Sequence, residues 1–317
     1  MSGSLRRHLD WAIIVAVNFM WATQAPVIKL MGDRLGPVAI TFLPMFLSIA
    51  VFLPALLVEN RRRGTGLRVR GKDAVHFIVA GLCGQFLLQL TYTLGAQRTL
   101  AANAGIITLS IPVLVAVAAS LMLREKLNTV RVASFALTLA GVLLTSLQDL
   151  RGANFTQPRY LAGNLLFLGA CAASAFYNTY CKLLVEKHYT ELEILVYTSV
   201  VGAAAALPLF VWMEPLGLGT LRAAGVPALW GILELGLVVY GAAMLLFFAV
   251  LRRLDVTQAS LGNYLLPFFI GVLAVVVLGE SITAATLAGG VLVLAGTLMV
   301  SVYEAGILRW LARRAST

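Results

Sequence analysis

Residues 102–125 read ANAGIITLSIPVLVAVAASLMLRE, and residues 257–280 read TQASLGNYLLPFFIGVLAVVVLGE. Both stretches have Pro at the eleventh position and end on Glu, and the alignment extends without a gap to residues 102–144 and 257–299. About a dozen identical residues fall within about forty aligned positions. Because matches at Pro, Glu and Gly share one offset, similar composition alone does not readily explain them. The alignment indicates an internal repeat.

The repeat lies within a chain of long apolar segments. Of its 317 residues, 60% are hydrophobic and 12% are charged, whereas soluble domains carry about 25% charged residues. Each segment is apolar throughout, which predicts membrane-spanning helices and not a β-barrel. We number the ten predicted spans from 1 to 10, and they cover residues 11–31, 37–58, 74–95, 100–122, 129–147, 160–183, 190–212, 227–249, 257–278 and 284–303. The fold class is therefore an all-α polytopic membrane protein.

The distribution of positive charge predicts the orientation. With the N-terminus in the cytoplasm, 18 of the 24 Lys and Arg residues lie in cytoplasmic loops and tails. We therefore expect both termini to be cytoplasmic and the protein to lie in a plasma membrane, the bacterial inner membrane. The net charge of +10 is explained by these loop clusters and does not indicate a nucleic-acid partner.

Two halves of five spans each must enter the membrane from opposite sides, because five is an odd number. The predicted organisation is a first repeat at 11–147, an external linker at 148–159, a second repeat at 160–305 and a basic cytoplasmic tail at 306–317. Inverted repeats of this kind are typical of secondary transporters, in which one fold supplies an inward-open and an outward-open packing.

The chain resembles the drug/metabolite transporter superfamily, specifically its ten-helix type with two EamA repeats. The residues that carry the resemblance are Trp21 and Lys29, Gly36-Pro37, Ala101-Ala102-Asn103-Ala104 through Pro112, Leu123-Arg124-Glu125, Thr257-Gln258-Ala259-Ser260 through Pro267, and Leu278-Gly279-Glu280. Members often carry an Arg about seven residues into the second helix, where this chain has Pro44. The resemblance implies a transporter, with export the expected direction.

Polar side chains recur at helical spacing inside several spans, and polar groups in hydrocarbon should face the bundle interior. The resemblance implies that spans 1, 3, 6, 8 and 9 line a central substrate cavity, with Asn103 at the start of span 4. The candidate cavity residues are Asn18, Trp21, Gln24, Gln85, Gln89, Tyr92, Asn103, Ser174, Tyr177, Asn178, Tyr240, Ser260, Asn263 and Tyr264. The alternative is that these groups form hydrogen bonds that hold the bundle together.

Three further residues have predicted roles. Pro112 and Pro267 each remove a backbone hydrogen bond within a span, so they are candidate hinges, or simply shape the packing. Glu234 is the one acid that we place well inside an apolar span. Such a carboxyl group is either protonated or paired with a cation, which suggests proton coupling or a counter-charge for an amine. Partial solvation near the external mouth is the alternative.

These features favour a secondary transporter of a small organic solute, such as an amino acid, a metabolite or a cationic drug-like compound. An intramembrane enzyme and a membrane scaffold or receptor are the alternatives. The sequence has no HExxH motif, no Gly-x-Ser-x-Gly elbow and no phosphate-binding loop, so we expect no enzymatic activity, no cofactor and no metal. The expected partners are the substrate and the lipid bilayer, and the protein is a monomer or a homodimer.

Overall fold

The computed structural model describes residues 3–64, 66, 69, 71–122, 129–145, 160–214, 218–254, 256, 259, 263, 265–280 and 283–298. Within these residues the regular structure is helical and no strand occurs. Several predicted features lie outside the described residues, namely Glu125, Ser260, Tyr264, the linker at 148–159 and the tail at 306–317.

The described residues form ten helical spans close to the predicted ones. Their bounds are Gly3–Ala22 with Gln24–Met31 for span 1, Pro37–Arg62 for span 2, Gly71–Asp73 with Ala74–Val79, Ala80–Leu88 and Gln89–Arg98 for span 3, Ala101–Thr108 with Ile111–Met122 for span 4, Thr129–Thr145 for span 5, Leu161–Glu186 for span 6, Glu191–Trp212 for span 7, Leu218–Leu233 with Glu234–Ala243 and Met244–Leu251 for span 8, Leu266–Leu278 for span 9 and Ala284–Leu298 for span 10. Seven of the described helices are long and apolar enough to cross a membrane. Spans 5, 9 and 10 are described over shorter apolar stretches.

Interruptions of the spans occur at related positions in the two halves. Span 3 contains the π-helical segment Ala80–Leu88, and span 8 contains the π-helical segment Glu234–Ala243. The two repeats align at an offset of 155 residues, and at this offset the starts of the two segments differ by one residue. Span 4 breaks at Leu109 and Ser110 before a helix that begins at Ile111. π-Helical segments are frequent at functional sites, and these lie in the middle of the bundle.

Side chains of the second half cap helices of the first. Span 2 begins at Pro37, and the Glu214 carboxylate at the end of span 7 accepts hydrogen bonds from the amides of Val38 (3.1 Å) and Ala39 (2.8 Å). A helix N-terminus leaves such N–H groups without intrahelical partners, and a carboxylate stabilises them. A Cβ atom on Gly36 would lie 1.9 Å from Glu214 Oε1, so a larger residue here would displace the carboxylate from its capping position.

The two halves also pack closely at spans 5 and 10. A Cβ atom on Gly141 in span 5 would lie 2.6 Å from Val293 Cγ2 and 2.7 Å from the carbonyl oxygen of Gly289 in span 10. Because one of these neighbours is backbone, the contact cannot relax by a simple change of rotamer. Small residues that allow such approach are typical of helix packing in membranes.

We predict that Gly141→Ala destabilises the protein by roughly 1–3 kcal/mol, the usual cost of overpacking. The matched control is Gly169→Ala in span 6, where a Cβ atom would meet nothing within 4 Å. Thermal unfolding in detergent micelles measures both variants. Equal melting temperatures for the two variants would contradict the close packing of spans 5 and 10.

Candidate functional site

A central cavity lies between the two halves of the bundle. It encloses about 640 Å³ of space not filled by atoms, part of it open to the outside. Its lining residues are Trp21, Gln24, Leu88, Gln89, Tyr92, Thr108, Ile111, Ala170, Cys171, Ser174, Asn178, Val239, Met244, Asn263, Leu266 and Ile270. No acidic or basic side chain is among these described lining residues. The cavity is therefore apolar with a few uncharged polar groups, as small-molecule sites usually are.

The lining repeats between the halves. Gln89 and Met244 are 155 residues apart, as are Thr108 and Asn263, and all four line the cavity. The same offset relates Ile111 to Leu266, which line it as well. The repeat axis therefore passes close to the cavity, and each half supplies an equivalent part of its wall.

Amide groups form the polar part of the cavity. Gln24 Nε2 donates to Gln89 Oε1 at 2.9 Å, which links spans 1 and 3. Asn178 Nδ2 donates to Ser174 Oγ at 3.5 Å within span 6. Asn263 is 2% exposed, and its side-chain oxygen has no hydrogen-bond partner among the described residues. This oxygen is thus a buried acceptor available to a donor group on a bound solute.

Aromatic rings form two further parts of the wall. The Trp21 ring packs on Phe247 with centroids 5.1 Å apart, and the Tyr92 ring packs on Phe167 with centroids 4.5 Å apart. These contacts fix the orientation of both lining rings. Fixed rings offer an apolar surface and a π-face to a solute.

Seven of the predicted cavity residues line the cavity, and they are Trp21, Gln24, Gln89, Tyr92, Ser174, Asn178 and Asn263. Five others are buried in the bundle beside it. Gln85 Nε2 donates to the Tyr177 hydroxyl at 2.9 Å, and that hydroxyl lies 3.0 Å from Thr198 Oγ1, so this group connects spans 3, 6 and 7. For Gln85 and Tyr177 these contacts favour the alternative to a cavity role, namely hydrogen bonds that hold the bundle together.

The other three of the five predicted residues buried beside the cavity have different surroundings. Asn18 Nδ2 donates to the carbonyl of Ile14 at 2.8 Å within span 1. Asn103 is buried in the first turn of span 4. The Tyr240 hydroxyl is buried near the Gln24 amide, outside hydrogen-bond geometry.

Glu234 lies next to the cavity at the start of the π-helical segment of span 8. The Thr23 hydroxyl donates to its Oε1 atom, and Thr23 is the single residue that separates the two helices of span 1. The Oε2 atom is buried and has no hydrogen-bond partner among the described residues. Thr23 is followed in the chain by Gln24, which lines the cavity. The Glu234 carboxyl group therefore contacts the residue next to the cavity wall.

The candidate hinge prolines occupy equivalent places. Pro112 is the second residue of the helix Ile111–Met122, and Pro267 is the second residue of the helix Leu266–Leu278. Both helices begin at a lining residue. Pro44, at the position where Arg is frequent in the family, is buried inside span 2, and a Cβ atom on Gly236 would lie 2.7 Å from its carbonyl oxygen. Pro44 therefore contributes close packing with span 8.

Several lining residues are not among the predicted ones, and most of them are apolar. Leu88, Ile111, Val239 and Met244 have no polar signal that separates them from other core residues. Thr108 could have been found, because it is the repeat equivalent of Asn263.

A family model agrees with this architecture. The model for EamA-like transporters matches residues 11–147 and 161–302. The chain belongs to the EamA-like transporter family. This EamA protein is therefore a ten-helix membrane transporter with a small-molecule substrate, and it is not an enzyme.

Individual relatives cover most of the chain. A probable terminal-alkyne amino-acid exporter of Streptantibioticus cattleyicolor is 24% identical over 292 residues, which are 92% of each chain. A WAT1-related chloroplastic protein of Arabidopsis thaliana is 25% identical over 313 residues, which are 96% of this chain and 72% of that protein. A solved crystal structure is similar with a TM-score of 0.63 at 20% identity, covering 98% of this chain and 99% of that chain. The similarity to the solved structure supports the helical fold described above.

We predict that Tyr177→Phe lowers the stability of this EamA transporter without changing its affinity for substrate. The variant leaves the buried Gln85 amide without its acceptor, which costs roughly 1–3 kcal/mol, but Tyr177 does not line the cavity. Tyr180→Phe is the control on the same span, since the Tyr180 hydroxyl contacts His76 Nδ1 in a partly exposed place. Thermal unfolding and transport KM are measured for both. A raised KM with unchanged unfolding for Tyr177→Phe would place that side chain in the binding site.

Proposed function

We propose that this protein is a secondary transporter that exports a small organic solute by alternating access around the central cavity. The observation that carries the proposal is the cavity itself, which combines two fixed aromatic rings, a Gln24–Gln89 amide pair and an Asn263 oxygen. Among the described residues this oxygen has no partner and the lining carries no charge. The name of the Streptantibioticus relative, an amino-acid exporter, supports the same substrate class.

The preferred substrate is an amino acid or an amine that has an apolar part. Its apolar part would contact Trp21 and Tyr92, and a donor group would bind the Asn263 amide oxygen. An anionic substrate is less suited, because no basic side chain is among the described lining residues. The distribution of Lys and Arg supports a plasma-membrane protein with both termini in the cytoplasm.

Solute flux into proteoliposomes that contain only this protein tests the proposal. We expect flux of at least one compound from a panel of amino acids and amines, and a KM roughly ten-fold higher for Gln89→Leu, since one lost hydrogen bond costs about 1 kcal/mol or more. Thr91→Val is the control, because the Thr91 hydroxyl bonds to backbone carbonyls of its own span. Absence of flux for the whole panel would favour a scaffold or receptor instead.

Glu234 is the proposed proton-coupling residue of this transport. Its carboxyl group is partly buried, accepts a hydrogen bond from Thr23 and lies beside the cavity wall, and its Oε2 atom has no partner in the described part of the chain. The first-half equivalent is Val79, so the acid is a feature of one half only. This asymmetry is unlike the repeated lining positions and favours a specific chemical role over a structural one.

We predict that Glu234→Gln makes transport independent of an imposed pH gradient, while exchange of substrate for substrate continues. The amide retains an acceptor for the Thr23 hydroxyl but cannot exchange a proton at physiological pH. Glu186→Gln, at the exposed end of span 6, is the control. A loss of affinity for amines alone would assign Glu234 as their counter-charge, and unchanged transport at every pH would exclude both roles.

A further inference from the structure

Glu280 connects three spans that line the cavity. It follows span 9, and its Oε1 and Oε2 atoms accept hydrogen bonds from the amides of Ala101 and Ala102, each at 3.0 Å. Lys29 Nζ lies 2.9 Å from Oε1. Ala101 and Ala102 begin span 4, and Lys29 lies in the last turn of span 1. One carboxylate thus holds the ends of spans 1, 4 and 9 together.

The interaction of Glu280 with Lys29 and with the start of span 4 is stronger than a typical surface ion pair. The Lys29 and Glu280 side chains are only 20% and 10% exposed, so solvent screens their attraction weakly. The carboxylate also satisfies two of the N–H groups that every helix N-terminus leaves without intrahelical partners. Hydrogen bonds that involve a charged group are about twice as strong as neutral ones.

The contact joins the two halves on one face of the bundle. We call the face where span 1 begins the N-terminal face, and Glu280 lies on the opposite face. On the N-terminal face the halves are joined by other ion pairs, between Asp10 and Arg253 at 2.8 Å and between Asp73 and Lys187. Alternating access requires that contacts between the halves break on one face while they hold on the other.

Another acid on the same face provides a comparison. Glu214 also caps a helix of the other half, but it joins spans 2 and 7, and neither of these contributes a described lining residue. Spans 1, 4 and 9 contribute Trp21, Ile111 and Ile270 to the wall of the cavity. Separation at Glu280 would therefore move the cavity wall, whereas separation at Glu214 would not.

The sequence repeat gives Glu280 a counterpart. Glu125 is its equivalent at an offset of 155 residues, and it lies outside the described residues. Lys182 resembles Lys29 by position near the end of the first span of its half, at an offset of 153 residues and not 155. It lies at the N-terminal face, where Lys182 Nζ donates to the carbonyls of Leu251 at 2.8 Å and Leu254 at 3.2 Å.

We infer that Glu280 is the latch that closes the cavity on the opposite face. The inference rests on the alternating access of the proposed function. Release of the Glu280 carboxylate from Lys29 and from the first turn of span 4 frees spans 1, 4 and 9 to separate and expose the cavity.

Thiol labelling from each face tests the latch without any substrate. The native cysteines are Cys83, Cys171 and Cys181, and they are replaced by Ser or Ala before Ser174→Cys is introduced as a reporter in the cavity wall. A membrane-impermeant methanethiosulfonate is applied to right-side-out or inside-out vesicles. Labelling of the reporter from both faces establishes alternating access, and labelling from one face under all conditions would contradict the proposed function instead of the latch.

In this background Glu280→Gln should raise the labelling rate from the opposite face about ten-fold, because a charge-assisted hydrogen bond and an ion pair are lost. Lys29→Gln should shift it in the same direction. Glu214→Gln is the matched control and should leave both rates unchanged.

Two results would overturn the latch. One is an unchanged labelling rate for Glu280→Gln and Lys29→Gln in protein that runs as a single gel-filtration peak. The other is an equal increase for Glu214→Gln, which would show that loosening of any cap on that face exposes the cavity. If Glu280→Gln does not fold, the labelling rates of two other variants are measured instead. They are Glu280→Asp, which retains the charge, and Lys29→Gln.

Discussion

Hydrocarbon offers no hydrogen-bond partner to a peptide group, so a membrane-spanning helix can be interrupted only where protein or a watery cavity supplies one. In this transporter the interruptions surround the central cavity. Thr23 separates the two helices of span 1, and span 4 breaks at Leu109 and Ser110. The π-helical segments of spans 3 and 8 supply the lining residues Leu88 and Val239. The cavity and the irregular backbone therefore depend on each other, and ion pairs at the ends of the spans add connections between the halves.

The two halves share their backbone plan but not their chemistry. Equivalent positions supply Gln89 and Met244, and the carboxyl group of Glu234 corresponds to the apolar Val79. A symmetric scaffold gives two packings of similar energy, which is what a transporter needs in order to face both sides of a membrane. Both halves supply polar lining groups, Gln24 and Gln89 from the first and Asn178 and Asn263 from the second, so a solute meets unlike side chains at equivalent positions.

The sequence predicted the spans well, because length and hydropathy are read directly from single segments. The site was harder to predict. Gln85 and Gln89 are four residues apart, which places them on one stripe of a regular α-helix, yet only Gln89 lines the cavity. Gln85 lies within the π-helical segment Ala80–Leu88, and Gln89 follows it. Because a π-helix turns less per residue than an α-helix, the two side chains do not share the direction that α-helical spacing predicts. Contacts between halves, such as that of Glu280 with Ala101, have no local signal in the sequence.

The cap that Glu214 forms on span 2 links two positions that are far apart in the chain. The backbone of Gly36 has φ −73° and ψ 167°, which any residue adopts, so conformation does not require Gly there. Space does, because the carboxylate occupies the volume of the missing side chain. The two positions should therefore covary among related proteins. A larger residue at the position of Gly36 should accompany loss of the acid at the position of Glu214, with a different group taking over the start of span 2.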